Sequence, residues 1–219
     1  MEDIYSEYLN IIRDFREYLE RKMKRIVPCD NSTNSAFLDE LYQKIKNCKR
    51  CPLYRSRTNL VFGRGNPNAK LMFIGEAPGK DEDLQGKPFV GAAGKLFEKS
   101  LKDVGISLED VYIANVLKCR PPRNRDPKPE EIAACFPYLQ KQIQIIKPKI
   151  ICTLGKFSTQ TLLNTTQGIS SLRGKIFSLE EGRILIPTYH PAACIYRPPL
   201  KEQFLKDLML VKERLETDA

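Results

Sequence analysis

Apolar residues along this chain follow two kinds of pattern. In four places they form short unbroken runs that end in small or polar residues: "KLMFIGEAP" (70–78), "VYIANVLKC" (111–119), "KIICTLG" (149–155) and "RILIPTYHP" (183–191). Between those runs they return every three or four positions, as in "AAGKLFEKSLKDVG" (92–105), closed by Gly105, and "KPEEIAACFPYLQKQIQII" (128–146). The second of these opens on Pro129 and two glutamates and holds Pro137 at a point where a kink is expected. "KFSTQTLL" and residues 200–216 continue the helical period. The runs predict buried strands, and the longer period predicts helices. Alternation of the two predicts an α/β fold with a mainly parallel sheet covered on both faces. Ligands of such folds bind beyond the carboxyl ends of the strands.

Ahead of this core the pattern changes. Residues 3–26 carry Ile4, Leu9, Ile11, Ile12, Phe15, Leu19 and Met23 at helical spacing, and "PCDNSTNS" (28–35) then reads as a polar linker with an N-cap at Asn34 or Ser35. A second helix is expected over roughly 36–46. The predicted organisation is an N-terminal amphipathic helix and linker (1–34) followed by one domain (35–219), a size that supports a real core. No apolar run reaches the ~18 residues of a membrane span, and the N-terminus has no signal-peptide core. The expectation is therefore a cytoplasmic protein with no membrane partner.

Charge adds a direction. Thirty-six Lys and Arg face 27 Asp and Glu, a formal net charge of +9, which favours an anionic partner such as nucleic acid. The basic residues cluster at 46–64 (Lys46, Lys49, Arg50, Arg55, Arg57, Arg64) and at 118–128 (Lys118, Arg120, Arg123, Arg125, Lys128). Seven cysteines in a chain expected inside the cell argue against a disulfide framework.

Polar groups stand where a site is expected. "GEAPGKDED" follows the first strand, "NVLKCRPPRNR" the second and "YHPAAC" the fourth. Glu76, Asn115 and His190, the only histidine, thus converge on one crevice. "GEAPG" lacks both the Walker A ending and the dinucleotide pattern G-x-G-x-x-G; its glycines suit a rigid turn close to a small planar ligand. Phe89, between glycines in "GKPFVGAAGKLF", is either core or a stacking platform for a base.

Cys48 and Cys51 form the single C-x-x-C pair, and Cys29, Cys119, Cys135, Cys152 and Cys194 are available to complete it. Cys152, mid-strand, reads as core. Cys119 and Cys135 give the spacing C-x2-C … C-x15-C, four thiolates that fit either tetrahedral zinc or an iron–sulfur cluster. The unequal spacing is less like a zinc ribbon than a cluster site.

"GEAPGKDEDLQGKPFVGAAGKLF", "NVLKCRPPRNR" and "YHPAA", together with the cysteine framework, closely resemble the family 4 uracil-DNA glycosylases over about residues 41–212. The resemblance implies a three-layer α/β/α fold around a four-stranded parallel sheet, and a structural [4Fe-4S] cluster on Cys48, Cys51, Cys119 and Cys135. It implies a monomer that flips uracil from single- or double-stranded DNA and hydrolyses its N-glycosidic bond, leaving an abasic site. By this resemblance Phe89 stacks on the base, Asn115 reads its edge and His190 sits at uracil O2. Glu76 and the backbone of Ala77 meet the base and the attacking water, with Glu76 and His190 the catalytic residues. Glu82 fills the space near C5, excluding thymine. Ile195 or Tyr196 wedges the stack, while Arg197 and Lys201 grip phosphates. Family 1 enzymes carry a water-activating aspartate where this chain has Ala77. The basic, histidine-bearing insertion of a related covalent-binding subfamily is missing as well. Two other readings remain: a non-enzymatic iron–sulfur or zinc nucleic-acid-binding protein, and a glycosylase for another deaminated base such as hypoxanthine.

Overall fold

The computed structural model describes residues 31–217, so the helix expected over 3–26 lies outside the described residues. The first described helix, α1 (Asn31–Ile45), begins inside the stretch expected to be linker. The Asn34 amide is drawn away from a capping role, donating to Pro67 O (3.3 Å) and Asn68 Oδ1 (2.8 Å).

Four strands carry the sheet: β2 (Leu71–Gly75), β3 (Val111–Asn115), β4 (Ile150–Leu154) and β6 (Ile184–Thr188). They lie parallel in the order β3-β2-β4-β6, and β2, β3 and β4 are buried at every position, as sheets covered on both faces require. The sheet departs from the expected four strands. Two-residue antiparallel strands, β1 (Arg64–Gly65) on β3 and β5 (Phe177–Ser178) on β6, bring the described sheet to six. They pair through backbone alone and blunt edges that would otherwise stay open. β5 stops opposite Leu185, so Pro187, which has no N–H to give, lies beyond its reach.

Successive side chains of a strand point to opposite faces, and the two cores follow that rule. Leu71 and Phe73 pack with Phe97 and Leu101 of α3 (Ala92–Asp103) and with Phe204, Leu208 and Val211 of α8 (Pro199–Thr217). Met72 and Ile74 face Leu38 of α1 and Leu139 and Ile146 of α4 (Pro129–Ile146). Each such buried side chain contributes roughly 1.5–3 kcal/mol. Helix α4 is a single element through Pro137. Shorter helices follow the strand ends: α2 (Lys80–Gln85), α5 (Lys156–Leu163), α6 (Ile169–Leu172) and α7 (Pro191–Tyr196). Asp207 of α8 accepts from Thr188 Oγ1 (2.6 Å) and pairs with Arg173, anchoring that helix to the end of β6 just before His190. No described helix is long and apolar enough to cross a membrane.

Candidate active site and cysteine cavity

The carboxyl ends of β2, β3 and β6 open into a cavity of about 320 Å³ whose wall includes Glu76, Ala77, Glu82, Phe89, Asn115 and His190. Register explains the convergence: Gly75 pairs with Asn115, and the ladder continues past the strands through Val116 N–H to Gly75 O (3.0 Å) and Leu117 N–H to Glu76 O (2.9 Å). A Cβ on Gly75 would collide with Asn115 Oδ1 and lie 2.7 Å from Phe89 Cζ. Only glycine lets the amide and the ring meet there.

Phe89 sits with φ 54°, a left-handed conformation unusual for a bulky residue. Three hydrogen bonds around it offset the strain. Glu82 Oε1 accepts from Val90 N–H and Gly91 N–H, both at 2.9 Å, and Arg64 donates to Phe89 O (3.0 Å). The other oxygen of Glu82 accepts from Gly79 N–H (3.1 Å), so this carboxylate fastens the turn after β2 to the Phe89 loop. The Phe89 ring packs against Phe97 (centroids 5.2 Å) and, tilted by 30°, against His190 (5.8 Å). It is both core and cavity wall.

Asn115 is 2% exposed, and its Oδ1 has no hydrogen-bond partner among the described residues. An unmet buried acceptor costs about 1–3 kcal/mol, and a donor entering the cavity that Asn115 lines would meet it. His190 caps α7, its Nδ1 accepting from Ala192 N–H (3.2 Å). Burial pushes the imidazole down to about 4, against the opposing charge of Glu82. The ring is therefore neutral at pH 7. Because Nδ1 accepts, the remaining proton is on Nε2. Gly155 (φ 94°) is where a Cβ would come 2.9 Å from His190 Cβ, so the bare backbone admits the ring. Glu76 behaves in the opposite sense: burial, then the charge of Asp126, raises its carboxyl to about 7, with Lys156 opposing.

Sequence reasoning missed part of the wall, namely Pro121, Asn124 and Arg125 of "RPPRNRDP". Asn124 (φ 56°) turns this loop, and its Oδ1 accepts from Arg120 Nε (2.7 Å). Arg125 pairs with both oxygens of Glu131 (2.9 and 2.6 Å). The basic cluster is thus partly consumed in holding the loop. Lys118, grouped by sequence with the basic cluster at 118–128, is 1% exposed and lies in the interior. The segment expected to wedge the stack is helical: Ile195 and Tyr196 end α7, followed by Arg197 at its C-cap and Lys201 in α8. Tyr196 is 84% exposed, within two turns of His190 on the same helix.

Cys48, Cys51, Cys119 and Cys135 line a second, small cavity, and the described cysteines are all free. Donors surround the sulfurs: Arg57 Nη1 to Cys119 (3.1 Å), Lys118 N–H to Cys135 (3.2 Å) and Arg50 N–H to Cys48 (3.5 Å). The Tyr138 hydroxyl is 3.3 Å from Cys48 Sγ. Burial raises the Cys51 and Cys119 thiols and takes Cys135 up to about 11, so these groups become thiolates most readily by binding metal. Among the described residues, no three His, Cys, Asp or Glu side chains converge as they would on one ion; the four sulfurs enclose a cavity instead. Cys152 and Cys194 are buried in the core.

Glycines, an aromatic face, a buried amide and a neutral imidazole thus wall one cleft at the strand ends. In comparison with known proteins, residues 62–209 match the uracil DNA glycosylase superfamily. Curated relatives are more particular. A type-4 uracil-DNA glycosylase of Archaeoglobus fulgidus is 48% identical over 80% of this chain and 92% of its own length. Those of Saccharolobus solfataricus and Sulfurisphaera tokodaii are 47% and 46% identical, over 82% and 80% of this chain and 87% and 84% of theirs. The chain belongs to the type-4 uracil-DNA glycosylases.

Proposed function

We propose that this protein extrudes uracil from DNA and hydrolyses the bond between base and sugar. The unpartnered Asn115 Oδ1 carries the reading. Uracil N3–H is the donor that satisfies it, and the amide nitrogen donates to O4. Cytosine presents an acceptor at N3 and a donor at its exocyclic amine, which leaves both Asn115 groups facing their like. The Phe89 face receives the base. Glu82, already fixed to the backbone on both sides of the cavity, places its stem and neighbours beside C5, where a thymine methyl is rejected.

Uracil departs as an anion from an oxocarbenium-like sugar, so the site must hold charge that develops at O2. The neutral His190 donates there through Nε2–H. A preorganised donor of this kind is worth about 2.7–4 kcal/mol. Glu76, ionised above about 7, orients the attacking water together with the Ala77 backbone and faces the cationic sugar. Tyr196, exposed on α7, fills the vacated stack in preference to the less exposed Ile195, and Arg197 and Lys201 hold adjoining phosphates.

The four thiols enclose a cavity ringed by N–H donors, which suits a multi-atom [4Fe-4S] cluster held by Cys48, Cys51, Cys119 and Cys135. When bound, it supplies structure, joining the turn after α1 to β3 and α4. Stoichiometric zinc in a colourless protein would overturn this assignment; absorption near 400 nm with iron and sulfide is expected.

The activity is tested with an oligonucleotide carrying one uracil, followed by hot alkali and chromatography of the released base. Free uracil and an alkali-labile site are expected, both formed about 10²–10³ times more slowly in Asn115→Ala and His190→Ala. Release of another deaminated base in place of uracil would replace this reading.

A further inference from the structure

Lys118 stands three residues past Asn115 and next to Cys119. Its side chain is fully enclosed, and Nζ donates to the Asn115 carbonyl (2.8 Å) and to Gln142 Oε1 (2.6 Å). Gln142, also wholly buried, is held in turn: its Nε2 donates to Phe62 O (3.0 Å) and approaches the Tyr112 hydroxyl (3.4 Å). On its other side the Lys118 backbone N–H donates to Cys135 Sγ (3.2 Å), and its carbonyl accepts from Val61 N–H (2.8 Å). One residue therefore touches both the base-reading strand end and the cysteine cavity, whose wall it helps to form.

The side-chain partners are both neutral oxygens. Burying an ammonium without an opposite charge is costly, and the groups able to supply that charge here are the thiolates of the neighbouring cavity. The Asn115 side chain, for its part, is directed by a backbone whose carbonyl is held from behind by this ammonium.

We propose that Lys118 is a positioning residue: it is the buried counter-cation of the group held by the four thiolates, and through the Asn115 carbonyl it passes occupancy of that site to the geometry with which Asn115 reads the base. This rests on the cluster and uracil assignments above. It gives the cysteine site a part in base selection, beyond stapling loops.

The test uses the full-length, cluster-loaded protein and Lys118→Met, which keeps length and burial but removes the charge and the donors. Three quantities are read: the rate of bleaching near 400 nm under a chelator, the cluster reduction potential, and affinity for free uracil with Asn115 present or replaced by Ala. Bleaching is expected to be about tenfold faster or more. The potential is expected to fall, because a nearby cation favours the reduced, more negative cluster. Uracil affinity is expected to fall about tenfold with Asn115 present and to be unchanged in the Asn115→Ala background, the non-additivity of residues acting as one unit. A merely structural lysine would weaken both backgrounds equally and leave the potential alone, and that result overturns the proposal. Should Lys118→Met fail to fold, Gln142→Leu keeps the charge and removes one of its acceptors. It is expected to hold the wild-type potential and to lose uracil affinity only where Asn115 is present; any other pattern overturns the proposal. A wild-type protein with no iron, or with no uracil affinity, would instead remove the assignments on which the proposal rests.

Discussion

Replacing Glu76 by Gln separates what this carboxyl does for the reaction from what it costs the fold. Burial and the charge of Asp126 raise it from 4.5 to about 7, with Lys156 opposing. Between those values the folded protein binds a proton that the unfolded chain has released. Stability from this group is therefore full below pH 4.5 and declines as pH rises to about 7. At about 1.4 kcal/mol per tenfold change in the ionisation constant, the loss is at most about 3 kcal/mol. Glutamine matches the neutral form at every pH. Urea unfolding at pH 5 should find Glu76→Gln and the parent protein close together; at pH 8.5 the variant should be more stable by up to about 3 kcal/mol. Single-turnover excision should show the reverse. The parent rate rises through pH 7 as the proposed water-orienting carboxylate forms, whereas the variant is slow and lacks that limb. His190, at about 4, stays neutral throughout the comparison. A stability difference independent of pH, or a variant that keeps both rate and pH profile, would rule out a buried, proton-binding Glu76 that orients the water.

Other perturbations test the architecture of the cavity. Gly75→Ala puts a methyl against Asn115 Oδ1 and the Phe89 ring; overpacking of this kind costs about 1–3 kcal/mol, and excision should fall much further than the melting temperature. Glu82→Ala strips three backbone N–H groups of their acceptor, which should destabilise the protein by about 1–3 kcal/mol and relax discrimination against thymine, seen as cleavage of a thymine oligonucleotide. Nitrogen NMR of His190 should report a neutral ring protonated on Nε2 from pH 5.5 to 9, and an imidazolium signal at pH 6.5 would contradict the assignment. Tyr196→Ala should weaken excision from duplex DNA and spare single-stranded substrate, a difference read by comparing kcat/KM on the two.

Much of this arrangement is legible in the chain because it rests on continuous burial. The runs ending at Gly75, Asn115, Leu154 and Thr188 are apolar enough to be buried on both faces, and strand ends are where parallel sheets put their ligands. What escapes sequence reasoning is whatever depends on backbone pairing or on the fate of a charge. The two-residue strands β1 and β5 have no period to detect. The helical start at Asn31 is hidden by a polar run, in which the Asn34 amide goes to a neighbouring turn. Lys118 sits in a basic run and looks like its solvated neighbours, yet Asn115 O and Gln142 Oε1 hold it inside. Glu82 is readable as a cavity residue, whereas its three backbone donors are brought together only by the fold.

The most direct measurement is single-turnover cleavage of one oligonucleotide series carrying uracil, cytosine or thymine at the same position, with the parent protein and with Asn115→Ala. Excision of uracil alone is expected from the parent, at a rate about 10²–10³ lower in the variant. Equal cutting at cytosine, or an Asn115→Ala protein that excises uracil at the parent rate, would contradict the base-reading role of Asn115.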